Sequence, residues 1–119
     1  MYIVNVKEKF SSAHFLRNYK GKCENLHGHN YKVEISLKGE KLDKTGMLAD
    51  FTEIKKELKE IIKYLDHKNL NNLPEFKHNN PTSENIAKFI FNKIKNKYNN
   101  IFKVRIWETD TQYAEYFEE

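Results

Sequence analysis

The stretch Cys23-Glu24-Asn25-Leu26-His27-Gly28-His29-Asn30-Tyr31, running on through Lys32-Val33-Glu34-Ile35-Ser36-Leu37-Lys38, decides the fold. From His27 onward it alternates. His27, His29, Tyr31, Val33, Ile35 and Leu37 share one parity, and Asn30, Lys32, Glu34, Ser36 and Lys38 share the other. Successive side chains of a strand point to opposite faces, so the pattern predicts a half-buried strand whose apolar stripe begins with two histidines pointing the same way. Neutral imidazoles are common zinc ligands, and a catalytic zinc usually takes three protein ligands and keeps a fourth position open.

A third imidazole lies upstream. Residues 2–15 alternate as well, with Tyr2, Val4, Val6 and Phe10 on one parity and Asn5, Lys7 and Lys9 on the other. His14 has the parity of the apolar set and so belongs to the core-facing side of this first strand, at its far end. Residues 17–26, with Gly21 and several polar side chains, read as the connecting loop. If the two strands form an antiparallel hairpin, His14 meets His27 and His29 at the loop end of the sheet, on one face.

Downstream, Gly39 to Gly46 reads as a turn region. Asp50 can cap a helix with Phe51, Ile54, Leu58, Ile61, Ile62 and Leu65 on one stripe, and Glu53 has the capping-box position. Asp66 to Asn80 is polar and reads as loop. Pro81-Thr82-Ser83-Glu84-Asn85 opens a second helix with Ile86, Phe89, Ile90 and Ile94 inward and Lys93, Lys95 and Lys97 near its end. Residues 101–108 and 111–118 read as two further strands joined by a tight turn near Thr109–Asp110. Strands and helices in separate blocks, in the order ββααββ, predict an α+β fold: a four-stranded antiparallel sheet with two helices on one face.

The chain has 119 residues, the size of a single domain spanning 1–119, with 39% hydrophobic and 32% charged residues. The net charge of +4 and the pI near 9.0 suit an anionic ligand or a solvated surface equally. The single Cys excludes an intramolecular disulfide and favours a reducing compartment. No apolar run is long enough to span a membrane, and Met1-Tyr2-Ile3-Val4-Asn5 lacks the layout of a signal peptide, so a cytoplasmic location is expected.

Several residues break the pattern. Phe102, Val104 and Ile106 set the inward parity of the third strand, and Glu108 extends it. A carboxylate there is either paired, with a ligand bearing N–H donors or a nearby cation, or sits wet at a fraying strand end. Asp66-His67 has the composition of an acid–base pair, but adjacent side chains usually point apart, and such a pair in a loop is more often plain polar surface. Cys23 is a lone thiol in a polar loop. Beside a bound cation its thiolate would be favoured, making it a base or nucleophile, whereas most free cysteines are inert and buried. Trp107, of outward parity, reads as interface or exposed aromatic, and His78 fits no pattern.

Taken together, Ser12-Ala13-His14, Cys23 through Tyr31, Asp50-Phe51, Leu65-Asp66-His67, Pro81 through Asn85 and Trp107-Glu108-Thr109 give six motifs in order over essentially the whole chain. The set resembles the 6-pyruvoyltetrahydropterin synthase and 6-carboxytetrahydropterin synthase family. The resemblance implies the tunnelling fold, in which subunits join their sheets into a barrel and two rings stack, commonly as a homohexamer with active sites between subunits. It also implies Zn2+ on His14, His27 and His29, and Glu108 anchoring the pterin edge with help from Thr82 and Ser83. It implies Cys23 as general base, with His67 and its partner Asp66 as the second acid–base group, reaching the site from a neighbouring subunit. Lys9, Arg17, Lys20 and Lys22 are candidates to meet a substrate triphosphate.

The short spacing between Cys23 and His27 is similar to that of bacterial 6-carboxytetrahydropterin synthases of the queuosine pathway. These convert 7,8-dihydroneopterin triphosphate to 6-carboxytetrahydropterin with loss of acetaldehyde and triphosphate. Glu24 stands where relatives that form 6-hydroxymethyldihydropterin for folate synthesis carry a catalytic Glu, so that branch is the second reading, beside the pyruvoyl-forming one. Outside enzymology the rival is a small basic zinc- or nucleic-acid-binding module. Against it, the Lys residues are spread rather than gathered in a stripe, and no nucleic-acid motif is present.

Overall fold

The computed structural model describes residues 1–119. Two long strands, β1 (Tyr2–His14) and β2 (His27–Gly39), are followed by helices α1 (Phe51–Leu65) and α2 (Ser83–Lys95), then by strands β3 (Ile101–Thr109) and β4 (Gln112–Phe117). The sheet is antiparallel throughout, in the order β1-β2-β3-β4. This is the ββααββ order predicted from the alternating and three-four spacings.

One face of the sheet is covered by both helices. Val6, Phe10, Tyr31, Val33, Ile35, Leu37, Val104 and Ile106 from the strands pack with Ile54, Leu58, Leu65, Ile86, Ile90 and Ile94 from the helices in one core. The Asp50 side chain accepts from the Thr52 N–H at 2.8 Å and starts α1. The Thr82 hydroxyl accepts from the Asn85 N–H at 3.1 Å and starts α2. Glu53 makes no reciprocal capping-box bond, because Asp50 serves the N–H of the second helical residue rather than the third. Phe51, expected on the buried stripe, is exposed, since the stripe turns inward only from Ile54.

Two β-bulges alter β3. Ser36 faces Lys103 and Leu37 faces Ile101, so Phe102 is the extra residue. Ile101 takes the core position expected of Phe102, whose ring lies 4.4 Å from Lys38 Nζ. The second bulge falls at Glu108.

The segment 66–80 is more than polar loop. It holds two short 3-10 turns (Leu70–Asn72 and Pro74–Phe76) that bury Leu70 and Phe76. Residues 66–69 also lie along the outer edge of β1: Ala13 N–H donates to Lys68 O at 2.9 Å and His67 N–H to Ser11 O at 2.6 Å.

Candidate active site

The β1–β2 register is unbroken from Tyr2 opposite Gly39 to His14 opposite His27. Directly opposed residues project from the same side of a sheet, and His29 follows His27 on that side of β2. The three rings stand 4.6 Å (His14–His27), 5.2 Å (His14–His29) and 4.8 Å (His27–His29) apart between centroids. Their candidate ligand nitrogens all lie within 4.8 Å of one another.

Hydrogen bonds fix two of the tautomers. His14 Nδ1 lies 2.7 Å from the Pro81 carbonyl oxygen, and His27 Nδ1 lies 2.7 Å from that of Asn25. A carbonyl only accepts, so each Nδ1 carries the hydrogen and each Nε2 presents its lone pair. Metal-binding histidines characteristically donate their other N–H in this way. Three buried side-chain polar atoms make no hydrogen bond within the chain: His14 Nε2, His29 Nε2 and Tyr31 Oη. They belong to one cluster, with the Tyr31 ring 5.8 Å from His14 and 5.5 Å from His29. An unsatisfied buried polar atom costs about 1–3 kcal/mol, so three gathered together mark a place shaped for a ligand. Nitrogen lone pairs converging from neutral rings fit a divalent cation such as zinc.

Burial pushes the His14 ring below its ordinary value of 6.5, against the opposing pull of its Pro81 hydrogen bond. Burial lowers His29 likewise, opposed by the Glu108 charge and reinforced by His27. Both rings are therefore neutral near pH 7, the state that ligates metal. In the metal-stripped protein the unfolded chain takes up these protons first as pH drops below 6.5. Its thermal midpoint is expected to fall as pH is lowered through that value, and a flat profile between neutrality and pH 5 would contradict the burial of these rings.

Glu108 reaches the same spot. Its Oε1 lies 3.3 Å from His29 Nε2, while Oε2 accepts from the Ser83 hydroxyl at 3.3 Å. Trp107 faces Tyr113 and Thr109 faces Gln112, so Glu108 is the residue that the second bulge leaves unpaired. Bulges re-aim a side chain in this way. With Ser83, Gln112 and Tyr113, Glu108 lines a cavity of about 210 Å3. Ser83 is the member of the Thr82–Ser83 pair that touches it, since the Thr82 hydroxyl is occupied as the helix cap.

Cys23 and Glu24 share the 3-10 turn Lys22–Glu24, Cys23 half-buried and Glu24 exposed. Leu16 N–H donates to Cys23 O at 2.7 Å, which ties that turn to the end of β1.

Asp66 and His67 do form a dyad. His67 Nδ1 lies 2.8 Å from Asp66 Oδ2, and the other carboxylate oxygen accepts from the Ser11 N–H at 2.9 Å. The backbone reason is the left-handed conformation of His67, φ 53°, which turns its ring back toward its neighbour. The bond from Ser11 and that from His67 hold the Asp66 carboxyl below its usual range. The His67 ring is largely exposed and, with Lys68, Asn69, Ser11 and Asn30, lines a cavity of about 500 Å3 at the β1 edge. Lys68 and Asn69 carried no pattern in the sequence; they are at this cavity because the segment 66–69 is bonded to β1.

Of the four basic residues considered for an anionic group, Arg17 is otherwise engaged. Its guanidinium donates to the carbonyls of Phe76 (2.7 Å) and Asn71 (3.2 Å), closing the two 3-10 turns against the loop. Lys9, Lys20 and Lys22 are exposed.

The family described as 6-pyruvoyl tetrahydropterin synthase matches residues 3–119. A 6-pyruvoyl tetrahydrobiopterin synthase of Dictyostelium discoideum is 39% identical, covering 96% of this chain and 94% of its own. A 6-carboxy-5,6,7,8-tetrahydropterin synthase of Haemophilus influenzae is 33% identical, covering 99% and 100%. The solved structure of the Caenorhabditis elegans 6-pyruvoyl tetrahydropterin synthase superposes with a TM-score of 0.87 at 34% identity, covering 100% of this chain and 98% of that one. With a match over nearly its whole length, and with the sheet, helices and histidine cluster described above, the chain belongs to the 6-pyruvoyl tetrahydropterin synthase family.

Proposed function

We propose that the protein is a zinc-dependent 6-carboxy-5,6,7,8-tetrahydropterin synthase acting in the cytoplasm on 7,8-dihydroneopterin triphosphate, with loss of acetaldehyde and triphosphate. The observation that carries this reading is the meeting of three imidazoles with a carboxylate, Glu108 Oε1 standing 3.3 Å from His29 Nε2. His14, His27 and His29 would hold the zinc, which supplies Lewis-acid polarisation of substrate oxygens when bound. Glu108, steadied by Ser83, accepts hydrogen bonds from the amino and ring N–H groups along the pterin edge. Cys23 takes a proton from the substrate side chain. His67, its Nδ1–H held by Asp66, offers Nε2 as the second proton-transfer atom.

Glu24 shares the turn of Cys23, which keeps hydroxymethyl-forming cleavage as a second reading; the half-burial of Cys23 against the exposure of Glu24 favours the thiol. His67 would serve the centre of a neighbouring subunit. Support for assembly comes from the sheet's two outer strands, β1 and β4, which leave Tyr2, Ile3, Tyr113 and Phe117 exposed. A homohexamer of two stacked trimeric rings would cover them.

Incubating the purified protein with 7,8-dihydroneopterin triphosphate and identifying the product tests the reading. A carboxy product supports it, a hydroxymethyl or pyruvoyl product reassigns the branch, and no turnover by the zinc-loaded protein rejects it. Glu108→Gln keeps the shape and removes the charge, so KM should rise about ten- to a hundredfold, the loss of charge-assisted hydrogen bonds. Unaltered KM and kcat would remove Glu108 from the site.

A further inference from the structure

Tyr31 is the one member of the centre that the proposed reaction leaves idle. It sits on β2 two residues beyond His29 and is fully buried, its ring stacked on Phe10 at 4.7 Å between centroids. Its hydroxyl is one of only three buried side-chain polar atoms without a partner. The other two are His14 Nε2 and His29 Nε2, whose rings it meets edge-on at 5.8 and 5.5 Å. A tyrosine placed only for packing would be served as well by phenylalanine, without a stranded O–H.

The possible acceptors narrow quickly. Once a cation takes the imidazole lone pairs, those nitrogens cannot accept from Tyr31. The Glu108 carboxylate accepts from Ser83 on one oxygen and faces His29 with the other, and it makes no hydrogen bond with the Tyr31 hydroxyl.

We infer that Tyr31 is a further binding residue of the centre: its hydroxyl donates a hydrogen bond to the small oxygen ligand, water or a substrate hydroxyl, that completes the cation's shell beside His14 and His29. The inference rests on the metal reading given above. Partners one bond removed from a metal commonly change its affinity by 10–100-fold.

The test uses Co2+ as a spectroscopic probe in place of zinc, on the unsubstituted protein and on Tyr31→Phe. The variant should keep or raise the thermal midpoint of the metal-free protein, because it removes a buried hydroxyl that has no partner there. Its Co2+ affinity, measured against a competing chelator, should fall about tenfold. The pH midpoint of the visible spectrum of the Co2+ form should move upward, because a donated hydrogen bond favours the deprotonated ligand. Equal affinity and an equal midpoint would overturn the inference.

A second measurement does not depend on the variant folding. In the unsubstituted protein, a tyrosine hydroxyl proton should become protected from exchange only when Zn2+ is added. Protection already present without metal would assign the bond to Glu108 or a structural water and would equally overturn it. If the unsubstituted protein binds neither Co2+ nor Zn2+, the metal reading itself fails, a result distinct from any difference at Tyr31.

Discussion

His27→Ala is expected to release the metal and, with it, all pterin turnover, while the fold survives. The histidine supplies one of three converging nitrogens, and its ring is only half-buried, so the truncation opens little of the core. His14 is a poorer probe of the same point. It is 2% exposed and its Nδ1 bonds the Pro81 carbonyl, so its removal would also strand that carbonyl at the start of α2. Losing a direct ligand should weaken zinc binding by more than the roughly 10–100-fold that follows loss of a ligand's hydrogen-bond partner. Metal content after dialysis, measured beside the thermal midpoint, is the check. A variant that retains a full equivalent of zinc would remove His27 from the ligand set.

Cys23→Ala should separate chemistry from binding. Zinc content, pterin affinity and stability are expected to stay near those of the parent, because the thiol forms no hydrogen bond that holds the turn; that is done by its backbone carbonyl, which accepts from Leu16. Turnover to the carboxy product should fall by roughly a hundred- to ten-thousand-fold, the usual worth of a positioned proton-transfer group. Cys23→Ser, which keeps the size and loses the acidity, should fall nearly as far. Undiminished turnover in the alanine variant would pass the role to Glu24 or to another group, and the product released by Glu24→Ala would then say which.

How far the residues foretold this arrangement depended on what interrupts each strand. Parity placed His14, His27 and His29 together because neither bulge falls in the β1–β2 hairpin, whose register runs unbroken from Tyr2 to His14. The same rule failed at Phe102, where one extra residue hands the core position to Ile101. It led to the right face for Glu108, but the unpaired placement of that residue comes from the partner strand, which one-strand periodicity cannot see.

Residue types alone left the Asp66–His67 contact open for a different reason. At His67 the backbone takes the left-handed region, which lets the adjacent side chains meet, and although histidine is enriched in that region its presence alone does not announce it. The loop carrying them looked polar, yet Leu70 and Phe76 anchor it, apolar residues too sparse to form a periodic signal. Arg17 offered only a charge to read, and its engagement with two carbonyls depends on how that loop folds back.

Trp107 is the chain's single indole. Its ring lies 4.6 Å from that of Tyr113 and 5.1 Å from Lys32 Nζ, with its N–H donating to the buried Glu34 carboxylate. It also adjoins Glu108 along the backbone. The protein's intrinsic emission excited at the red edge of its absorption therefore comes from one place, and that place borders Glu108, the carboxylate proposed to hold the pterin edge. Quenching or a colour change on titrating a pterin can be read without attaching any dye, from a fluorophore whose surroundings are already fixed by three named neighbours.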